Sequence, residues 1–243
     1  MDPRSITDAL VRRMRAISGK TEEELQVLRG LPITVKAFRP DQAVVREGDR
    51  PTECCLIAAG FCLRSKTTSS GQQQILSIHI PGEIPDLQSL YLQVMDHDLV
   101  ALTNCTLGLI SHAVVRQLFR RQPEIAEMFW RDTLIDAAMF REWLVNIGQR
   151  PAPSRLAHIL AELRDRLRVV GLADGDSFEM PLTQERIGEA MGVTAIHANR
   201  VIKQLRADKI VDVHRGQVTI LDEAKFQELA DFDARYLHQS PTL

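Results

Sequence analysis

Residues 183–206, TQERIGEAMGVTAIHANRVIKQLR, decide how the rest of this chain is read. Thr183 has the short side-chain oxygen that caps a helix. Arg186 stands at the third helical position, where a reciprocal capping box would place Glu or Gln. Ile187, Ala190 and Met191 recur at three- and four-residue spacing, which predicts one apolar face on a short helix. Gly192 stops that helix by tolerating left-handed backbone. Thr194 then caps a second helix whose apolar stripe is Ala198, Val201, Ile202 and Leu205. One short helix and one longer helix joined by a tight glycine turn form a helix-turn-helix.

The polar face of the second helix carries His197, Asn199, Arg200, Lys203 and Arg206. Residues 194–215 hold five Lys or Arg against two Asp, in a chain whose formal net charge is -2. Phosphate backbones attract such a patch whatever the base sequence, and Arg200 and Asn199 have donors that suit base edges in a major groove. Ile210, Val211 and Val213 lead into Arg215-Gly216, after which Val218, Ile220 and Leu221 resume the apolar run, predicting a hairpin. That ribbon is the wing of a winged helix, with His214 and Arg215 at its tip. Any small helical subdomain can show two helices and a glycine turn, but capping, spacing, basic face and wing coincide here.

On these residues the stretch 183–221 resembles the DNA-binding module of the Crp/Fnr (cyclic-AMP receptor protein / fumarate-nitrate regulator) family. Thr183, Ile187, Gly188, Gly192, Thr194, Arg200, Ile202 and Leu205 fit its pattern. The resemblance implies an α+β fold with three parts. These are an N-terminal jelly-roll, cyclic-nucleotide-binding-like β-barrel with flanking helices over 1–122, a dimerisation helix and hinge over 123–150, and a winged helix-turn-helix over 151–243. It implies a homodimer on a palindromic double-stranded operator, with recognition helices in successive major grooves. RNA polymerase is a further partner if the protein activates. Base readout would fall to Ala195, His197, Asn199 and Arg200. Phosphates would be held by Arg200 or Lys203, by Arg206, by the wing residues His214 and Arg215, and by N–H groups near Thr183 and Thr194. The Arg and Glu that read the activator's half-site in the family correspond to Ala195 and Ile196, so a different operator is expected.

At 243 residues, 44% hydrophobic and 26% charged, the chain suits one large or two ordinary soluble domains. No apolar run is long enough to cross a bilayer, and residues 1–20 lack a signal core, so a cytoplasmic location and no membrane partner are expected. Near-neutral net charge means only that basic surface is confined to one region. Cys54, Cys55, Cys62 and Cys105 show no metal-ligand spacing, and small buried hydrophobes are the expected role. No metal site is predicted. Without a nucleophile elbow, P-loop or HExxH, no catalytic residue is predicted either. A scaffold with a vestigial helix-turn-helix is the alternative that the intact basic face opposes.

Upstream, Ile6–Ile17 reads as an amphipathic helix closed at Gly19, and Thr21 with Glu24 as a capping box. From Leu31 to about Ile110, seven β-rich segments, ITVKAF, AVVRE, CCLIAAG, FCLRSKT, QQQILSIHI, DLVALT and CTLGLI, alternate with turn signals, which favours a jelly roll. A helix over 123–147 follows Pro123, with Ile125, Met128, Asp132, Ile135, Met139, Glu142 and Asn146 on one heptad-like line. Phe129, Leu134, Ala138 and Leu144 widen its apolar surface, so partners on two sides are expected. One side would face the barrel. The other, with Ile125, Met128, Ile135 and Met139, would meet a second subunit. Residues 148–153 form the hinge, Ser154 caps the next helix, and a last helix runs from Glu223 to Leu237. From His238 onward disorder is expected.

Pro81-Gly82-Glu83 resembles the start of the family's nucleotide cassette, which implies Glu83, His97 and Asp98 as effector-pocket residues. The Arg-Ser pair that holds a cyclic phosphate falls at His97-Asp98, and Asp98 would repel a phosphate. Cyclic AMP is therefore not expected. An iron–sulfur cluster would need cysteines before Cys54, and no histidine spacing marks a haem pocket, so no cofactor is predicted. Control by an unidentified small effector and constitutive, ligand-independent binding both stay open.

Overall fold

The computed structural model describes residues 3–239, and contacts divide the chain into two compact units. One takes in the chain through Ser65, then Ile78–Ala138 and the end from Leu237; the other takes in Lys66–Ser77 and Met139–Tyr236.

In the first unit, α1 (Pro3–Ser18) buries Ile6, Leu10, Met14 and Ile17 on one face. Gly19 closes it at φ 68°, donating to the Arg15 carbonyl at 3.0 Å. Thr21 and Glu24 form the expected reciprocal pair, with Thr21 N donating to Glu24 at 2.8 Å and Glu24 N to Thr21 Oγ1 at 3.4 Å. A single turn, α2 (Gln26–Arg29), follows. Each of the seven β-rich segments holds a strand: β1 (Thr34–Phe38), β2 (Ala43–Val45), β3 (Glu53–Ala59), β4 (Cys62–Thr67), β5 (Gln73–His79), β6 (Asp98–Ala101) and β7 (Cys105–Ser111).

These strands do not close into the expected jelly-roll barrel. They form two open sheets, one ordered β1-β7-β3 and one ordered β2-β6-β4-β5. The consecutive strands β3 and β4 lie in different sheets, and the ladders shift register between Ala43 and Val45 and between Ile57 and Ala59. Strands of three to seven residues with such bulges bend away before a closing ladder can form. The sheets share one apolar core: Phe38, Ile57 and Leu107 come from one, Val45, Leu99 and Ala101 from the other. The outer edge of β3 is bonded by residues 82–86: Ile57 N donates to the Glu83 carbonyl at 3.0 Å, Gly82 N to the Ile57 carbonyl at 2.8 Å and Cys55 N to Asp86 at 2.8 Å, which leaves those groups unavailable to another strand. All four cysteines are buried free thiols in this region.

Ser111 caps α3 (His112–Arg121) by accepting from Val114 N. The chain then enters α4 (Pro123–Gln149), an element that, like β5, contributes residues to both units.

In the second unit, α5 (Ala152–Val169) starts directly after Pro151, with Pro153 inside its first turn and Ser154 buried rather than capping. Proline fits there because those first N–H groups have no helical partner. Glu162 of α5 is buried and accepts bonds from Trp143 Nε1, Arg166 and the Tyr236 hydroxyl. A four-stranded sheet, ordered β10-β11-β9-β8, comprises β8 (Ala173–Asp174), β9 (Ser177–Glu179), β10 (Val211–His214) and β11 (Gln217–Ile220). Between its halves lie α6 (Gln184–Met191) and α7 (Ala195–Ala207). Asp222 caps α8 (Glu223–Ala230), which ends earlier than expected because Asp231 turns left-handed at φ 46°. A 3-10 turn over Ala234–Leu237 replaces the last predicted helical turns. Residues 240–243, where a disordered tail is expected, lie outside the described residues. No described helix is long and apolar enough to cross a membrane.

Candidate nucleic-acid interface

The helix-turn-helix is built from local signals. Thr183 accepts from Arg186 N at 3.2 Å and Thr194 from His197 N at 3.3 Å, so each side chain satisfies one unpaired donor of its helix. Gly192 adopts φ 67°, and Val193 N donates to the Gly188 carbonyl at 2.9 Å. Gly188 permits the turn to fold back, since a Cβ there would stand 2.7 Å from Val193 O. Between the helices, Ile187, Ala190 and Met191 of α6 are buried with Ala198, Val201, Ile202 and Leu205 of α7. The predicted stripe is the packed face.

The opposite face of α7 is open. Ala195, Arg200, Lys203 and Arg206 are exposed, while His197 and Asn199 are half-buried. Arg200 and Lys203 have no ion-pair partner among the described residues. Two predicted contacts are partly engaged within the chain. Asn199 donates to the Gln184 side chain, and Arg206 donates to Asp212 at 2.6 Å and to the Val213 carbonyl at 2.7 Å. Arg206 thus ties α7 to the wing strand.

The wing tip is a two-residue turn, with Arg215 at φ 50° and Gly216 at φ 79°, and His214 paired with Gln217. Positive φ at both central positions is the turn whose twist matches a hairpin. His214 and Arg215 are exposed there. One residue that the resemblance aligns with a half-site reader, but that the expected DNA contacts leave out, is also open. Ile196, beside Ala195 at the start of α7, is 77% exposed. Its i+3 and i+4 neighbours, Asn199 and Arg200, are polar, a pattern that marks it as lying off the packed stripe.

In the first unit, buried charges surround a cavity of about 20 Å³, room for roughly one water. Arg13 lies 3.1 Å from Glu83 through Nη1 and 2.7 Å from Asp132 through Nη2. Arg64 reaches Asp136 at 2.6 Å and donates through Nε to the Pro85 carbonyl at 2.9 Å. Burial holds His79 neutral, down to about 4, so its Nδ1–H donates to the Glu83 carboxylate at 2.8 Å. Burial also pushes Asp86, which accepts from Cys55 N, up to about 6. Of the three pocket residues expected, Glu83 lines this cavity. His97 bonds to Asp96 and approaches Gln88 of the lining, whereas Asp98 accepts from Glu47 N.

On α4 the expected seam residues Ile125, Met128, Ile135 and Met139 are each no more than 3% exposed within the single chain. Asp132, on the same line, is explained by Arg13. A different stripe is open: Trp130 at 65%, Leu134 at 50%, Phe140 at 36% and Leu144 at 73%.

Comparison with known proteins gives this geometry its family. Residues 35–122 match the cyclic nucleotide-binding domain family, and residues 154–229 match the Crp-like helix-turn-helix domain family. The chain belongs to the Crp/Fnr family of bacterial transcription regulators. Its relatives include the transcriptional activator protein FnrL of Cereibacter sphaeroides, 22% identical over 227 residues that span 91% of this chain and 90% of that protein. The nitrogen fixation regulation protein FixK of Rhizobium meliloti is 23% identical over 74% of this chain and 79% of its own length. Among solved structures, FixK2 from Bradyrhizobium japonicum superposes with a TM-score of 0.75 at 20% identity, covering 82% of this chain and 98% of FixK2. A CRP/FNR-family regulator from Thermus thermophilus gives 0.65 at 16% identity, covering 82% and 99%. Crp/Fnr proteins are DNA-binding transcription factors and not enzymes, and that is the class of this chain.

Proposed function

We propose that this Crp/Fnr chain acts as a homodimer that reads a palindromic operator through α7 and needs no cyclic nucleotide to do so. The observation that carries the reading is the open stripe on α4. Trp130, Thr133, Ala137, Phe140, Leu144 and Ile147 repeat at alternating three- and four-residue spacing. All six are at least partly exposed, and α4 runs 27 residues without a break. That is the seam of a two-stranded coiled coil. A second copy supplies the same stripe, and two-fold pairing presents two recognition helices to two half-sites.

On DNA, Arg200 and Lys203 supply free cationic donors, Ala195 and Ile196 offer methyl groups to thymine, and His214 with Arg215 reaches phosphate from the wing. His197 and Asn199 stand at the edge of that surface, while Thr183 and Thr194 present helix N-termini to the backbone. The charges of the first unit support a reading without a cyclic nucleotide: the cations that line its cavity, Arg13 and Arg64, are engaged by the carboxylates of Glu83, Asp132 and Asp136 beside them.

The reading is tested with duplexes selected from a random pool, followed by Leu144→Glu. The variant is expected to sediment as a monomer and to lose affinity for the selected palindrome by roughly 10²-fold or more, because each half-site then binds alone. Met139→Ala, on the buried line, is expected to remain dimeric while lowering unfolding stability by about 2–5 kcal/mol. A Leu144→Glu protein that stays dimeric on DNA would overturn the seam.

A further inference from the structure

The cavity in the first unit is lined in part by Arg13, a side chain of α1. Helix α1 crosses the Pro81-Gly82-Glu83 turn so closely that a Cβ on Gly82 would stand 2.6 Å from the Ala9 carbonyl, and Gly82 itself sits at φ 95°. Only glycine accepts both conditions. Arg13 lies one helical turn beyond Ala9, on the same face of α1. That geometry sets its guanidinium against Glu83, the residue next to Gly82, at 3.1 Å. The same guanidinium donates through Nε and Nη2 to Asp132 of α4, at 3.1 and 2.7 Å. Arg13 is 8% exposed, Glu83 4% and Asp132 8%. Behind the contact, His79 fixes the second oxygen of Glu83 at 2.8 Å.

Two carboxylates from different elements, one oriented by a buried histidine, converge on one planar cation. The geometry points to a guanidinium-binding site whose resident ligand is the chain's own Arg13, so that α1 takes the place a diffusible effector would hold. An ordinary ion pair would link two elements. This one links three, α1, the turn after β5, and α4, the helix whose outer face carries the dimer seam. Planar, forked donors suit paired carboxylates in a way a lysine ammonium does not. With Arg13 seated, α4 is held in its DNA-competent setting without a small molecule. The inference rests on the dimeric, DNA-binding reading above.

The test begins with wild-type protein refolded from denaturant, to strip bound small molecules, and assayed on the selected palindrome. It should bind without additions. Arg13→Ala should bind at least about tenfold more weakly, the scale of an ordinary coupling between sites. Millimolar methylguanidinium should raise its melting temperature and restore DNA binding, and methylammonium should do neither. Arg13→Lys should stay impaired and folded, which keeps the test usable if the alanine variant does not fold. Arg13→Ala binding as well as wild type would overturn the proposal, as would equal rescue by both cations. Stripped wild type that binds only after cell extract is added would also overturn it, while leaving the dimeric regulator intact. Failure to bind any duplex under either condition would instead bring down the DNA-binding reading itself.

Discussion

Arginine does two opposite jobs in this molecule. On α7, Arg200 projects into solvent with no ion-pair partner among the described residues, whereas Arg64 in the first unit is 3% exposed and closed around by Asp136 and the Pro85 carbonyl. The first can lend its charge to a phosphate at small desolvation cost. The second has committed its donors within the fold, and its charge serves to hold elements in register. A guanidinium's role is therefore set by what surrounds it, and only one of these surroundings is written locally in the sequence.

The contrast is broken most severely at the buried end. Arg64→Met removes a cation and leaves Asp136 without its partner, which should destabilise the first unit by about 3–5 kcal/mol. Urea unfolding measures this directly. A loss under about 1 kcal/mol would mean that Arg64 behaves as a surface residue does and that the comparison fails.

A second consequence concerns pH. Asp86 is raised to about 6 by burial, above its ordinary value near 3.8, so between roughly pH 4 and 6 the folded state holds more protons at this site. Its contribution to stability therefore falls as pH rises through that window. His79 is lowered to about 4 by burial, from 6.5, so over nearly the same range the unfolded state holds more protons, and stability rises with pH. Each effect is about 3 kcal/mol, and they oppose each other. Between pH 4 and 6 these two contributions nearly cancel in the wild type. Asp86→Asn keeps an acceptor for Cys55 N and removes one of the two opposing effects, so its stability should climb by about 3 kcal/mol across that range. A flat profile in the variant would show that His79 does not titrate as its burial requires.

The sequence was most legible where structure is made by neighbours in the chain. Thr183, Gly192 and Thr194 act within four residues of the groups they satisfy, so the helix-turn-helix could be read directly. The seven strands were readable for the same reason. Their pairing was not, because whether β3 and β4 share a sheet depends on bulges and edges rather than on composition. On α4 two lines satisfy the heptad spacing, and only burial tells the line through Met128 from the stripe through Leu144. Asp132 was the clue, since a carboxylate on a buried line demands a partner. That partner, Arg13, lies 119 residues away and no local pattern could supply it.

The smallest effect refines the solvent-facing end of the comparison. Arg200 and Arg206 are both exposed on α7 and both carry the same charge, so a reading from sequence gives them equal weight. Arg206, however, donates to Asp212 at 2.6 Å and to the Val213 carbonyl at 2.7 Å. To meet a phosphate it must leave a carboxylate that already neutralises it, and the gain is the difference of two similar contacts. Arg200 has no such cost. Arg200→Ala should lose about 1–3 kcal/mol of discrimination between the selected operator and its single-base variants. Arg206→Ala should change discrimination by less than about 0.5 kcal/mol and leave the slope of log affinity against log salt nearly unaltered, where loss of a full phosphate contact would flatten it by about 0.9. If Arg206→Ala flattens the slope by that amount, the bond to Asp212 is released on DNA and the arginine belongs with Arg200. If it does not, Arg206 is a brace between recognition helix and wing, and the charge seen on the surface of α7 overstates the charge that DNA meets.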